Sequence, residues 1–68
     1  MDNILIYSSK NKVEALGIQH KLDEHNIPFQ AIDKTDSSYA GLFGEIEIYV
    51  DKVHEPEAKS LIKAYFED

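Results

Sequence analysis

Apolar positions along the chain fall into short groups whose spacing predicts the elements. Asn3-Ile4-Leu5-Ile6-Tyr7 is β-branched and aromatic and reads as a strand. Ile4 and Ile6 fall on one side of it, Leu5 and Tyr7 on the other. A strand apolar on both sides is expected to be interior or covered by a partner. Ser8-Ser9-Lys10 ends the run. Asn11 then stands three residues before Glu14, the spacing of a capping box, in which the Asn side chain takes an early amide and Glu14 reaches back to the cap. Ala15, Ile18 and Leu22 recur at helical spacing, with Val13 and Leu16 widening the stripe. Gly17 inside this helix costs about 1 kcal/mol relative to alanine, which a close helix–sheet approach would explain. Asn26 is expected to end the helix in the left-handed conformation, with Ile27 packing back on the last turn.

Ile27-Pro28-Phe29-Gln30-Ala31-Ile32-Asp33 is a second strand, and Pro28 belongs at its start or on an edge because it cannot donate to a ladder. Lys34 to Gly44 is a loop of about ten residues, long for so small a domain. From Glu45 to Val50 the chain alternates, with Ile46, Ile48 and Val50 on one side and Glu45, Glu47 and Tyr49 on the other. That is a half-buried strand. Pro56 suits the first turn of a last helix, and Glu55 and Glu57 suit the positive end of its dipole. Ala58, Leu61, Ile62 and Tyr65 form its apolar stripe, Lys59 and Lys63 its solvent side, and Phe66 is placed to cap the core.

The order is therefore β-α-β-β-α in a single α+β domain, residues 1–68. A right-handed crossover through the first helix makes the first two strands parallel. The third strand can slot antiparallel between them, a split β-α-β unit. The expected fold is a three-stranded sheet of order 1-3-2 with two helices on one face, the ferredoxin-like plan without its fourth strand. The first strand then lies at an edge. Ile4 to Tyr7 contains no lysine or proline to blunt that edge and no evident bulge, so cover by a second copy is expected.

The run from Lys12 to Asn26-Ile27-Pro28, Leu42-Phe43-Gly44-Glu45 ahead of Ile46-Glu47-Ile48-Tyr49-Val50, and Ala58 with Leu61-Ile62 together resemble a known family. It is the small bacterial domain of unknown function described as a prokaryotic signal-transducing protein. Asp36-Ser37-Ser38-Tyr39 leading to Phe43-Gly44-Glu45 looks like the version common in the Bacteroidetes. The resemblance covers essentially the whole chain. Its motifs are caps, core positions and one loop glycine, and Asn26 stands where the family usually has glycine. It implies a ferredoxin-like, PII-like fold and a signal-transducing role. It brings no catalytic residues to carry over.

Composition narrows the function. Thirteen acids against seven lysines leave a net charge of −6, and there is no arginine. Acidic balance opposes the attraction to phosphate that dominates nucleic-acid affinity, and missing arginine removes the usual bidentate reader of phosphate and guanine. No nucleic-acid partner is expected. The chain has no cysteine, which excludes disulfides and thiolate zinc sites. No window approaches the roughly 18 apolar residues of a membrane span. Met1-Asp2-Asn3 carries no basic run, so no secretory signal and a cytoplasmic location are expected.

Candidate chemistry is sparse. His20 and His25 fall on different faces of the first helix; His20, Asp23 and Glu24 read as a solvated helix face rather than a metal site, and His54 as a residue ahead of the last helix. Glu45 and Glu47 point the same way about 7 Å apart by strand rise. That spacing could serve acid–base chemistry on a sugar, but no nearby residue raises one pKa. Tyr49 shares this face, Tyr7 is expected to join it from the neighbouring strand, and tyrosine is favoured at protein interfaces. The loop carrying Asp36, Ser37, Ser38, Tyr39, Leu42, Phe43 and Gly44 offers three readings: a plug for the core, a protein contact, or an anion nest of backbone amides. No catalytic residue, metal or cofactor is expected. The leading expectation is a non-enzymatic regulatory or signal-transducing interaction domain that binds protein, including itself as a homodimer. The alternative is a small-molecule or anion sensor using the 36–44 loop.

Overall fold

The structure is a computed structural model that describes residues 2–34 and 44–67. Its elements are β1 (Asn3–Ser9), α1 (Lys12–Glu24), β2 (Phe29–Asp33), β3 (Ile46–Asp51), a 3₁₀ turn (Lys52–His54) and α2 (Glu55–Glu67). The sheet order is β1-β3-β2, with β3 antiparallel to both neighbours. This is the expected ferredoxin-like arrangement in β-α-β-β-α order.

The alternation of β3 sets the core. Ile46, Ile48 and Val50 are buried, and Glu47, Tyr49 and Asp51 between them are half-buried on the opposite side. Ala15, Ile18 and Leu22 of α1 and Ala58 of α2 meet the apolar side, joined by Ile27. Ile18, Leu22, Ile48 and Val50 are its largest fully buried side chains. Each such burial stabilises by roughly 1.5–3 kcal/mol, which makes this row the backbone of a thin core. Leu61, Ile62 and Tyr65 of α2 pack on it as the stripe predicts. Val13 and Leu16 do not widen the α1 stripe. They are 79% and 50% exposed, because the sheet takes only the Ala15–Ile18–Leu22 side of the helix.

Both ends of α1 are capped locally. Asn11 accepts from the amides of Val13 (3.0 Å) and Glu14 (3.1 Å). The reciprocal half of the box is absent, since the Asn11 amide donates to Ser9 Oγ at 3.0 Å and Glu14 turns away to Ser9 and Tyr7. At the other end Asn26 has φ 58°, in the left-handed region. The Ile27 amide donates to the Leu22 carbonyl (2.9 Å) and the Asn26 amide to that of Asp23 (3.0 Å), a Schellman arrangement with Ile27 and Leu22 in one core cluster. Gly17 makes room for the Tyr65 ring of α2 rather than for the sheet. The close approach is therefore between helices.

β1 departs most from its sequence pattern. Leu5 pairs with Tyr49 and Tyr7 with Ile48, so Ile6 is an extra residue, a β-bulge. The bulge shifts the alternation, and Ile4, Ile6 and Tyr7 all lie on the helix side while Leu5 stays on the other. The β1 edge thus has the blunting device that its composition does not reveal. Phe66 stacks on Tyr7 (centroids 5.7 Å apart, 29° between planes) and closes that end of the core while remaining half exposed. No helix among the described residues is long and apolar enough to cross a membrane.

Candidate functional site

With both helices on one side, no element among the described residues covers the other side of the sheet, called the open face below. Register places its residues in rows: Leu5, Tyr49 and Gln30 in one, Ser8, Glu47 and Ile32 in the next. Lys34 continues the Gln30–Ile32 alternation, and its amide bonds the Glu45 carbonyl at 3.1 Å.

Glu47 organises this face. Its Oε1 accepts from the Tyr49 hydroxyl at 2.7 Å and pairs with Lys34 Nζ at 3.0 Å. The hydrogen bond from Tyr49 first, and then that from Lys34, hold the Glu47 carboxyl below its ordinary pKa. The same contacts raise Tyr49 and Lys34. A carboxylate held ionised makes a fixed acceptor and a poor general acid. Glu45 precedes the strand and is half-buried, so the two glutamates are not equivalent members of one pair. Leu5, 47% exposed, and Ile32, 36% exposed, flank the network on either side of β3. At one end of the face Asn3 Nδ2 approaches Gln30 Oε1 at 3.5 Å. There a shallow groove of about 290 Å³ opens between Asn3, Gln30, Tyr49, Asp51 and His54.

Tyr7 is not part of this face, against expectation. Paired with Ile48 beyond the bulge, it lies on the helix side with its hydroxyl donating to Glu14, which also accepts from Ser9 Oγ at 3.0 Å. Burial first, and then the bond to Glu14, push the Tyr7 phenol up to about 12. Glu45, Glu47 and Tyr49 stand as a group on β3 and its approach. Asp36, Ser37, Ser38, Tyr39, Leu42 and Phe43 lie outside the described residues; Gly44 is described, half-buried and just ahead of β3.

Leu5, Gln30, Ile32 and Lys34 escape a reading that starts from β3 alone. Their facing is decided by register with β3, although the period-two spacing of Gln30, Ile32 and Lys34 is itself visible in the sequence. Among the described residues no group of three or more His, Cys, Asp or Glu could hold a metal. The arrangement places an apolar side chain on each side of an ordered donor–acceptor network. No protein-family model, curated protein or solved structure matches the chain.

Proposed function

We propose that this chain is a non-enzymatic interaction domain of regulatory type that binds protein through the open face of its sheet. The observation that carries the reading is the face itself: exposed Leu5 and Ile32 flank the ordered Lys34–Glu47–Tyr49 network. Protein interfaces combine apolar anchors and tyrosine with polar groups already held in place, so that little ordering is left to be done on binding. The acidic charge and the missing arginine favour a protein over a nucleic acid as the partner. The resemblance to the bacterial signal-transducing family fits a regulatory role in the cytoplasm.

Affinity capture with two baits tests this. One is the native chain, and the other carries Leu5→Lys and Tyr49→Thr, changes confined to the open face and compatible with strands. With both baits folded by circular dichroism, the native chain should retain a defined protein that the variant loses. Equal retention by the two baits, or retention by neither, would count against the open face.

A further inference from the structure

The shallow groove at one end of the open face lies where β1 begins and β3 ends. Asn3 opens β1, Asp51 closes β3, and the chain then turns into the 3₁₀ stretch that carries Val53 and His54. Register sets Asn3 opposite Asp51, and Gln30 opposite Tyr49 further in. A volume of about 290 Å³ stands at the lower limit of sites that enclose small molecules. It suits one short chain of atoms rather than a nucleotide.

Polar groups converge on the groove with capacity to spare. Asp51 Oδ1 accepts from the Val53 amide at 3.1 Å, which fixes the carboxylate in place, while Oδ2 takes no bond among the described residues. Asn3 Nδ2 reaches Gln30 Oε1 at 3.5 Å, which leaves Asn3 Oδ1 as a second acceptor. The Tyr49 hydroxyl is drawn to Glu47, back along β3, so the ring is what Tyr49 contributes here. Exposed Val53 adds an apolar wall.

Charge decides the sign of the ligand. Asp51 is the one carboxylate among the described lining residues, and no lysine stands among them. The first turn of α2, which follows His54, carries Glu55 and Glu57, so acids already meet the positive end of its dipole. The chain as a whole carries −6. An anion entering the groove would meet Asp51 in an acidic field, whereas a cation is drawn in. A hard metal ion asks for about six oxygen ligands, more than this site supplies. An ammonium head asks for less: its N–H donors take the carboxylate and the amide carbonyl, and its charge is favoured over an aromatic ring.

We propose that this groove binds a primary ammonium group on a short alkyl chain, with Asp51 and Asn3 taking the head and Tyr49 and Val53 lying along the chain. The inference goes beyond the interaction-domain reading, and its test needs no protein partner. The same chemistry comes from a free alkylamine or from a lysine side chain, and the two probes below separate these sources.

The probes are n-butylammonium and a lysine blocked at both backbone ends, which ends in the same group but carries amides that must stay outside the groove. Titrated into the isotope-labelled chain at constant ionic strength, n-butylammonium should shift the side-chain amide signals of Asn3 and Gln30 and the backbone amides of Val53 and His54. The shifts should saturate with a Kd of about 1–10 mM, as befits so small a ligand. Binding of both probes assigns a lysine side chain as a sufficient ligand; binding of n-butylammonium alone assigns a free amine. Asp51→Asn keeps the cap on the Val53 amide, since asparagine caps as aspartate does, and should weaken binding at least about threefold by removing the charge. 1-Butanol, the neutral match, should give no saturating shift. Unsaturating shifts spread over exposed acids such as Glu24 and Glu57, equal affinity in Asp51→Asn, or 1-butanol binding as well as the amine would each overturn the proposal.

Discussion

The ring of Tyr65 occupies the space that a side chain at position 17 would need: a Cβ built on Gly17 would lie 2.7 Å from Tyr65 Cζ. Glycine therefore sits in α1 because α2 crosses there. Gly17→Ala gains up to about 1 kcal/mol of helix propensity but must push the ring off the core and off Phe66, which it meets edge-on at 5.2 Å. Overpacking of this kind costs typically ~1–3 kcal/mol. A net loss of about 1 kcal/mol is expected in urea unfolding. In a Tyr65→Leu background the same change should become neutral or stabilising, and a double-mutant cycle would expose the coupling.

Asn26, at φ 58°, makes the opposite case. Asn26→Gly should be neutral or stabilising, because glycine enters the left-handed region without the steric cost of a Cβ. Asn26→Ala should cost about 1 kcal/mol. Thermal unfolding of the three proteins checks the order Gly ≥ Asn > Ala.

The Tyr7 phenol should ionise late. Its burial and its bond to Glu14 favour the neutral phenol and push it up to about 12. The stability tied to that phenol is fully present below its unfolded value near 10 and is lost as pH rises through about 12. Absorbance titration of tyrosinate should show a late step that Tyr7→Phe removes. At neutral pH the same variant should lose about 1 kcal/mol, the worth of one hydrogen bond.

Glu47 works at the other end of the scale. Its folded pKa is lowered, first by Tyr49 and then by Lys34. Its contribution to stability is present above the ordinary carboxylate value and is lost as pH falls through the lowered one. Glu47→Gln should therefore flatten the fall of Tm as pH drops below the ordinary carboxylate range. Tyr49→Phe should move the Glu47 carboxyl back toward its ordinary value, as read by carboxyl carbon NMR.

What could be read from the sequence was local. Ile46, Ile48 and Val50 announce a half-buried strand because the period of two lies within a few residues. Asn11 and Asn26 announce their caps because their bonds stay within the local turn: Asn11 accepts from the Val13 and Glu14 amides, and the Asn26 amide donates to the Asp23 carbonyl. Distance along the chain decided the rest. Gly17 answers to Tyr65, far away in α2, and nothing near Gly17 tells helix from sheet. Glu14 leaves its box because β1 brings Tyr7 and Ser9 within reach. Of the candidate site, Glu47 and Tyr49 were legible from alternation. Lys34 joined them only when β2 was in register with β3.

The extra residue at Ile6 splits β1 into two reading frames. Ahead of it, Leu5 lies on the open face; behind it, Tyr7 and Ser9 belong to the clasp on α1. One strand thus serves two masters without sharing a position between them. A saturation scan across residues 3–9 should change phase at Ile6: folding defects fall on Ile4 ahead of it and on Tyr7 and Ser9 behind it, while Leu5 and Ser8, on the open face, tolerate change. Deleting Ile6 would bring the frames into step and leave the stretch from Tyr7 to Ser9 in place on the ladder, but it would pull Leu5 no closer to the core, since its pairing with Tyr49 already sets its side. Leu5, exposed on the open face, is free to vary, while the clasp that begins two residues on at Tyr7 is not.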